Sequence, residues 1–86
     1  PELRAAVKNG MPVSLTPREF DLLMVLVRNR GIVLYRDVLF ERVWGLDSEA
    51  TTRTLDIHIS RLRKKLGWEH SLRSVPKIGY LLEAEP

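Results

Sequence analysis

Thr52-Arg53-Thr54-Leu55-Asp56-Ile57-His58-Ile59-Ser60-Arg61-Leu62-Arg63-Lys64-Lys65-Leu66 is the stretch on which the reading of this sequence turns. Leu55, Ile59, Leu62 and Leu66 follow one another at steps of four, three and four. A helix from about Thr51 or Thr52 to Leu66 therefore carries one continuous apolar stripe toward a core, and Gly67 supplies its stop. Arg53, Asp56, Ile57, Ser60, Arg61 and Lys64 fall on the opposite side, with His58 and Lys65 flanking them. Each residue type on that outward face has a use in the major groove of duplex DNA, about 12 Å wide and able to admit a helix. Arginine suits guanine or phosphate, aspartate can accept from cytosine, and isoleucine can touch a thymine methyl. A solvated helix face carries similar charges, and a single exposed apolar residue is common on protein surfaces.

The flanking segments read as a support for this helix. Val38, Leu39, Val43 and Trp44 recur at helical spacing, giving a shorter helix from about Arg36 to Val43, followed by a polar loop from Gly45 to Ala50. Upstream, Thr16-Pro17-Arg18-Glu19 is a helix start, with a hydroxyl cap, proline at the first position and glutamate completing a capping box. The run Phe20 to Val27 is apolar on nearly all sides and reads as a buried central helix, ending near Asn29-Arg30-Gly31 with Gly31 as terminator. Leu3 to Val7 and Met11 to Leu15 form an expected hairpin around Lys8-Asn9-Gly10, with Pro12 marking an edge strand. Leu72 to Val75 and Tyr80 to Glu83 read as two closing strands around Pro76-Lys77-Ile78-Gly79. Arg73 on the first of these and Lys77 near the tip can reach phosphate or the minor groove, or serve as solvated turn residues. Trp44 and Tyr80 are assigned to packing. The expected class is α+β: a three-helix core, an N-terminal β segment and a C-terminal β-hairpin.

Composition removes competing classes. The chain has 86 residues, no cysteine and a formal net charge of +3. Arg53 to Lys77 holds seven basic and two acidic residues, so this stretch is +5 and the remainder −2. Disulfide scaffolds, thiolate zinc sites and cysteine nucleophiles are excluded. The longest apolar run, Leu22 to Val27, is far short of the ~20 residues that cross a bilayer. No signal segment opens the chain. His58 and His70 match no common metal spacing, and Ser14, Ser48, Ser60, Ser71 and Ser74 sit in no nucleophile motif, so no catalytic residue, metal or cofactor is expected. Without repeats or low-complexity linkers, residues 1–86 read as one domain. Pro1 in place of an initiator methionine reads as an excised or processed fragment.

Leu15-Thr16-Pro17-Arg18-Glu19-Phe20, Val43-Trp44-Gly45, Arg53-Thr54-Leu55-Asp56-Ile57-His58-Ile59, Arg61-Leu62-Arg63-Lys64-Lys65-Leu66 and Gly79-Tyr80 stand in the order and spacing of one family. The chain resembles the C-terminal DNA-binding domain of OmpR/PhoB-type two-component response regulators along nearly its whole length. The resemblance implies a winged helix-turn-helix that binds double-stranded promoter DNA and regulates transcription, in the cytoplasm of a bacterium. It makes Arg53, Asp56, Ile57 and Arg61 base-facing. It gives Thr54, His58, Ser60, Arg63 and Lys64 phosphate or supporting roles, with Arg73 and Lys77 in the wing. The loop Gly45, Leu46, Asp47, Ser48, Glu49 stands where such proteins contact RNA polymerase. The resemblance also implies head-to-tail dimers on DNA and a phosphorylated receiver domain that this chain does not hold. Three features depart from the pattern. Pro76-Lys77 stand where the family often has Arg-Gly, so Lys77 replaces a minor-groove arginine. Ser60 stands where some relatives have a cation. Only two N-terminal strands are legible where the family has a four-stranded sheet. The competing reading is a winged-helix adaptor that binds protein rather than DNA.

Overall fold

The computed structural model describes residues 5–8 and 11–83. In chain order they form β1 (Ala5–Lys8), β2 (Met11–Ser14), α1 (Pro17–Arg28), β3 (Leu34–Tyr35), α2 (Arg36–Trp44), α3 (Thr52–Leu66), β4 (Leu72–Val75) and β5 (Gly79–Leu82). β1 and β2 pair antiparallel, with Val7 opposite Pro12. Each strand of a two-stranded sheet has an open edge, which accommodates a proline that has no N–H to give. The Asn9-Gly10 turn expected between them, and Leu3 and Arg4 of the first expected segment, lie outside the described residues.

α1 begins as its sequence requires. Thr16 Oγ1 accepts the Glu19 N–H at 3.2 Å and Glu19 Oε1 accepts the Thr16 N–H at 2.9 Å, a reciprocal capping box with Pro17 in the first turn. At the other end Asn29, rather than Gly31, closes the helix by donating its side-chain amide to Val25 O at 2.7 Å. Gly31 turns the chain at a φ of 80° and gives its N–H to Leu82 O at 2.8 Å, tying the end of α1 to β5.

α3 spans the expected residues and ends at Gly67, whose left-handed φ of 66° is open to glycine without steric cost. Its stripe of Leu55, Ile59, Leu62 and Leu66 is buried together with Leu22, Leu26, Leu39 and Leu72 from the neighbouring elements. Burying a leucine or isoleucine side chain stabilises by about 1.5–3 kcal/mol, so this stripe fixes the rotation of α3 about its axis. Once that rotation is fixed, the outward face is fixed too.

β3 was not expected. Its two residues pair with β5, giving a three-stranded antiparallel sheet in the order β3-β5-β4. Gly79 lies opposite Tyr35, and a Cβ there would land on the Leu34 carbonyl oxygen. The strands therefore approach this closely only with glycine at that position.

Candidate nucleic-acid interface

The buried stripe of α3 leaves two borders and an outward face, and each has a distinct job. On the outward face Arg53, Ile57, Ser60, Arg61 and Lys64 are all exposed, with Ile57 at 44%. Among the described residues none of these cations has a carboxylate partner. An apolar side chain amid free cations is the arrangement the sequence implied.

Asp56 differs from its expected place. Rather than pointing outward to accept from a base, its carboxylate turns toward α2 and β5. Oδ1 accepts from Arg36 Nε at 3.2 Å and from the Tyr80 hydroxyl at 2.6 Å, while Oδ2 accepts from Arg36 Nη2 at 2.5 Å. The reason is angular: at 100° per residue Asp56 sits on the border of the buried stripe, three residues before Ile59, where α2 and the hairpin close over it. Burial alone would raise its carboxyl pKa, but the bonds from Arg36 and Tyr80 outweigh burial and hold it below the ordinary value. Burial and the bond to Asp56 together push the Tyr80 hydroxyl up to about 12, so it remains a donor at neutral pH. The face's lone carboxylate is thereby neutralised by Arg36, and the surface left outward is cationic.

Arg63 shares this border, since residues seven apart return to within about 20° of each other on a helix. Its Nε donates to Leu72 O and its Nη2 to Ser74 Oγ, both at 2.8 Å, and its guanidinium stacks 5.6 Å from the centre of the Tyr80 ring. These contacts brace the hairpin against α3. The opposite border carries His58 and Lys65. His58 Nδ1 lies 2.9 Å from Thr54 O, which only accepts, so that nitrogen carries the proton. The His58 ring meets Trp44 edge-on at 5.0 Å, and Trp44 stacks on Phe40 beneath the Arg18 guanidinium. Trp44 and Tyr80 thus pack, as expected. Thr54 is half-buried in the first turn.

Lys65 Nζ donates to Glu19 Oε1 at 2.6 Å and to Ser14 O at 3.1 Å, joining the last turn of α3 to the capping box of α1. Burial would raise the Glu19 pKa, but Lys65 and Thr16 more than offset it and hold the carboxyl below its ordinary value. Local pattern reveals only the capping role of Glu19. The lysine partner lies 46 residues away, beyond any local pattern.

In the hairpin, Arg73 is paired with Glu83 at 2.9 Å. Lys77 is exposed and has a φ of 66°, the one non-glycine residue of positive φ among those described. Pro76 and Lys77 occupy the two central positions of a turn closed by Ile78 N–H to Val75 O at 3.0 Å. Proline followed by a left-handed residue is the pattern of a type II turn, which ordinarily takes glycine where Lys77 stands. Between this tip and the N-terminal ends of α2 and α3 lies an open groove of about 500 Å³, lined among others by Tyr35, Arg36, Thr52 and Ile78. The loop after α2 turns at Gly45, exposes Leu46 at 82% beside Asp47 and Glu49, and is braced by Ser48 Oγ, which accepts the Ala50 N–H at 3.1 Å.

Three helices, the last with a basic outward face, beside a β-hairpin define a winged helix-turn-helix of the kind that serves as a DNA-binding regulator module. Comparison with known proteins agrees and is more specific. Residues 10–82 match the family described as transcriptional regulatory protein, C terminal, and the chain belongs to this family, the OmpR/PhoB-type DNA-binding domains. It is 47% identical over 79 residues to the sensory transduction protein RegX3 of Mycolicibacterium smegmatis, covering 87% of this chain and 35% of RegX3. The DNA-binding domain of Escherichia coli CadC superposes with a TM-score of 0.86 at 34% identity, over 96% of this chain and 81% of that one. The Klebsiella pneumoniae RstA DNA-binding domain, solved in complex with the RstA box, gives a TM-score of 0.77 at 32% identity, over 88% and 79% of the two chains. The chain spans about a third of the length of the curated relatives it matches. Among the described residues no helix is long and apolar enough to cross a membrane.

Proposed function

We propose that residues 1–86 form the promoter-reading module of a two-component response regulator, with α3 lying in the major groove of double-stranded DNA. Arg53, Ile57 and Arg61 meet base edges, Ser60 and Lys64 meet phosphates, and Lys77 at the wing tip reaches the flanking backbone or minor groove. The observation that carries this reading is the outward face of α3, where Arg53, Arg61 and Lys64 are exposed around Ile57 and have no carboxylate partner among the described residues. Phosphate contacts then position the helix while base contacts select the sequence. Thr54, His58 and Arg63 support the helix from its borders. Arg73 stays with Glu83 unless a phosphate displaces that carboxylate.

The remaining length of the relatives supports a receiver domain elsewhere in the native protein, switching this module and favouring head-to-tail pairs on DNA. The loop from Gly45 to Glu49, with Leu46 presented between acidic side chains, suits a basic surface of RNA polymerase. A bacterial cytoplasm is the matching compartment.

Selection of bound duplexes from a randomised pool, followed by titration of the recovered duplex across salt, tests the proposal. With Lys64 and Lys77 as the phosphate-directed cations, log K should fall with log salt at about −0.9 per phosphate, roughly −1.8 in all. A chain that recovers no preferred duplex and binds none at low salt is a protein adaptor instead.

A further inference from the structure

Two side chains of α3 hold the wing. β5 is tied to β3, and Arg36 N–H to Ile78 O at 3.0 Å adds a bond near the tip, but these bonds join the hairpin to the start of α2. Among the described residues, the polar links from α3 itself to the hairpin are Asp56 to the Tyr80 hydroxyl, and Arg63 to Leu72 O and Ser74 Oγ. Ser74 and Tyr80 are opposite one another in the β4–β5 ladder, so α3 grips both strands at one rung. The same Tyr80 is held at its hydroxyl by Asp56 and at its ring face by Arg63. Asp56 and Arg63 lie about two turns apart on one border of the helix, spaced by roughly 10 Å along its axis. Two anchors so separated restrain both the tilt and the position of the hairpin relative to α3.

Resting on the proposed DNA reading, we infer that Asp56 and Arg63 are positioning residues that set the register between the wing's flanking contact and the base contacts of α3. Neither touches a base. They determine which stretch of backbone the Lys77 tip reaches when Arg53 and Arg61 are seated in the groove. Specificity at the centre of a site and protection at its flank are then properties of one rigid unit.

Hydroxyl-radical footprinting of this chain on its selected duplex tests the inference, with Asp56→Asn, Arg63→Met and the milder Tyr80→Phe beside the wild type. Each variant is first shown to be folded by circular dichroism, and Tyr80→Phe, which deletes one hydroxyl, decides if the others unfold. The wild type should protect a central patch and a separate flanking patch. The variants should keep the central patch within about twofold and lose or displace the flanking one. Flanking protection unchanged in all folded variants overturns the inference, as does its absence from the wild type. Equal weakening of both patches overturns it too, because that is the signature of general destabilisation. Failure of the wild type to bind any duplex instead removes the DNA reading on which the inference rests.

Discussion

Lys65→Met removes one ammonium and the two bonds it makes. Methionine keeps an aliphatic side chain of similar length and removes the ammonium that bonds Glu19 and Ser14. The Glu19 side chain is only 1% exposed, so its carboxylate has no water to replace Lys65 and keeps only the Thr16 N–H. Breaking a fully buried pair by removing one partner costs about 3–5 kcal/mol. Here the lysine end is 36% exposed, which weakens the interaction lost, so about 2–3 kcal/mol is expected at neutral pH. For a domain of this size that lowers the melting temperature by roughly 10–20 °C. The pH dependence gives the sharper signature. In the wild type the Glu19 pKa is lowered, so its stabilisation is present above the ordinary carboxylate range and is lost as pH falls through the folded value. Without Lys65, burial dominates and the carboxyl protonates more readily in the folded state. The gap between wild type and variant should therefore be widest at neutral pH and shrink as the pH is lowered. Urea titrations followed by tryptophan fluorescence at several pH values measure it, with Lys64→Met as the exposed control. A cost below about 0.5 kcal/mol, typical of surface substitutions, or a gap independent of pH refutes the reasoning.

Other outcomes follow from the hairpin. Gly79→Ala places a Cβ against the Leu34 carbonyl and should destabilise by about 1–3 kcal/mol in thermal melts, since backbone rather than a flexible side chain must give way. Lys77→Gly should behave oppositely for stability and for binding. Relief of the left-handed lysine, less the entropy glycine adds to the unfolded chain, should raise stability by about 0.5–1 kcal/mol. The same change should weaken duplex binding and flatten the salt slope by about one unit. At high pH, Tyr80 should contribute a loss of stability. Its folded pKa of about 12 lies above the ordinary 10, so its contribution is complete below 10 and disappears as pH rises from 10 to 12. That shift corresponds to roughly 2–3 kcal/mol, and Tyr80→Phe should flatten the alkaline limb of the unfolding curve.

Much of this fold is written in local patterns. The capping box at Thr16, the stop at Gly67 and the stripe from Leu55 to Leu66 each depend on residues within one or two helical turns, and each is where the pattern puts it. The outward phase of Arg53, Ile57, Ser60, Arg61 and Lys64 follows from that stripe by geometry alone. β3 was illegible because two residues carry no alternation, and its existence depends on the space left by Gly79. The partners of Asp56 were not legible because a helical wheel divides residues into inner and outer, while this one sits on the border. Its partners, Arg36 and Tyr80, stand 20 and 24 residues away. Arg63 beside it carries the same lesson: a cation next to an apolar stripe is placed to brace a neighbouring element. Position on the wheel relative to Ile59 was the available signal for both.

The central claim is that α3 reads duplex DNA through its exposed face, and a salt titration of Arg61→Ala and Lys64→Ala on the selected duplex tests it most directly. Arg61→Ala should cost about 1–3 kcal/mol and relax base preference at one position of the site. Lys64→Ala should weaken all sequences alike and flatten the salt slope by about one unit. Wild-type affinity and preference retained in Arg61→Ala would contradict the assignment of this face.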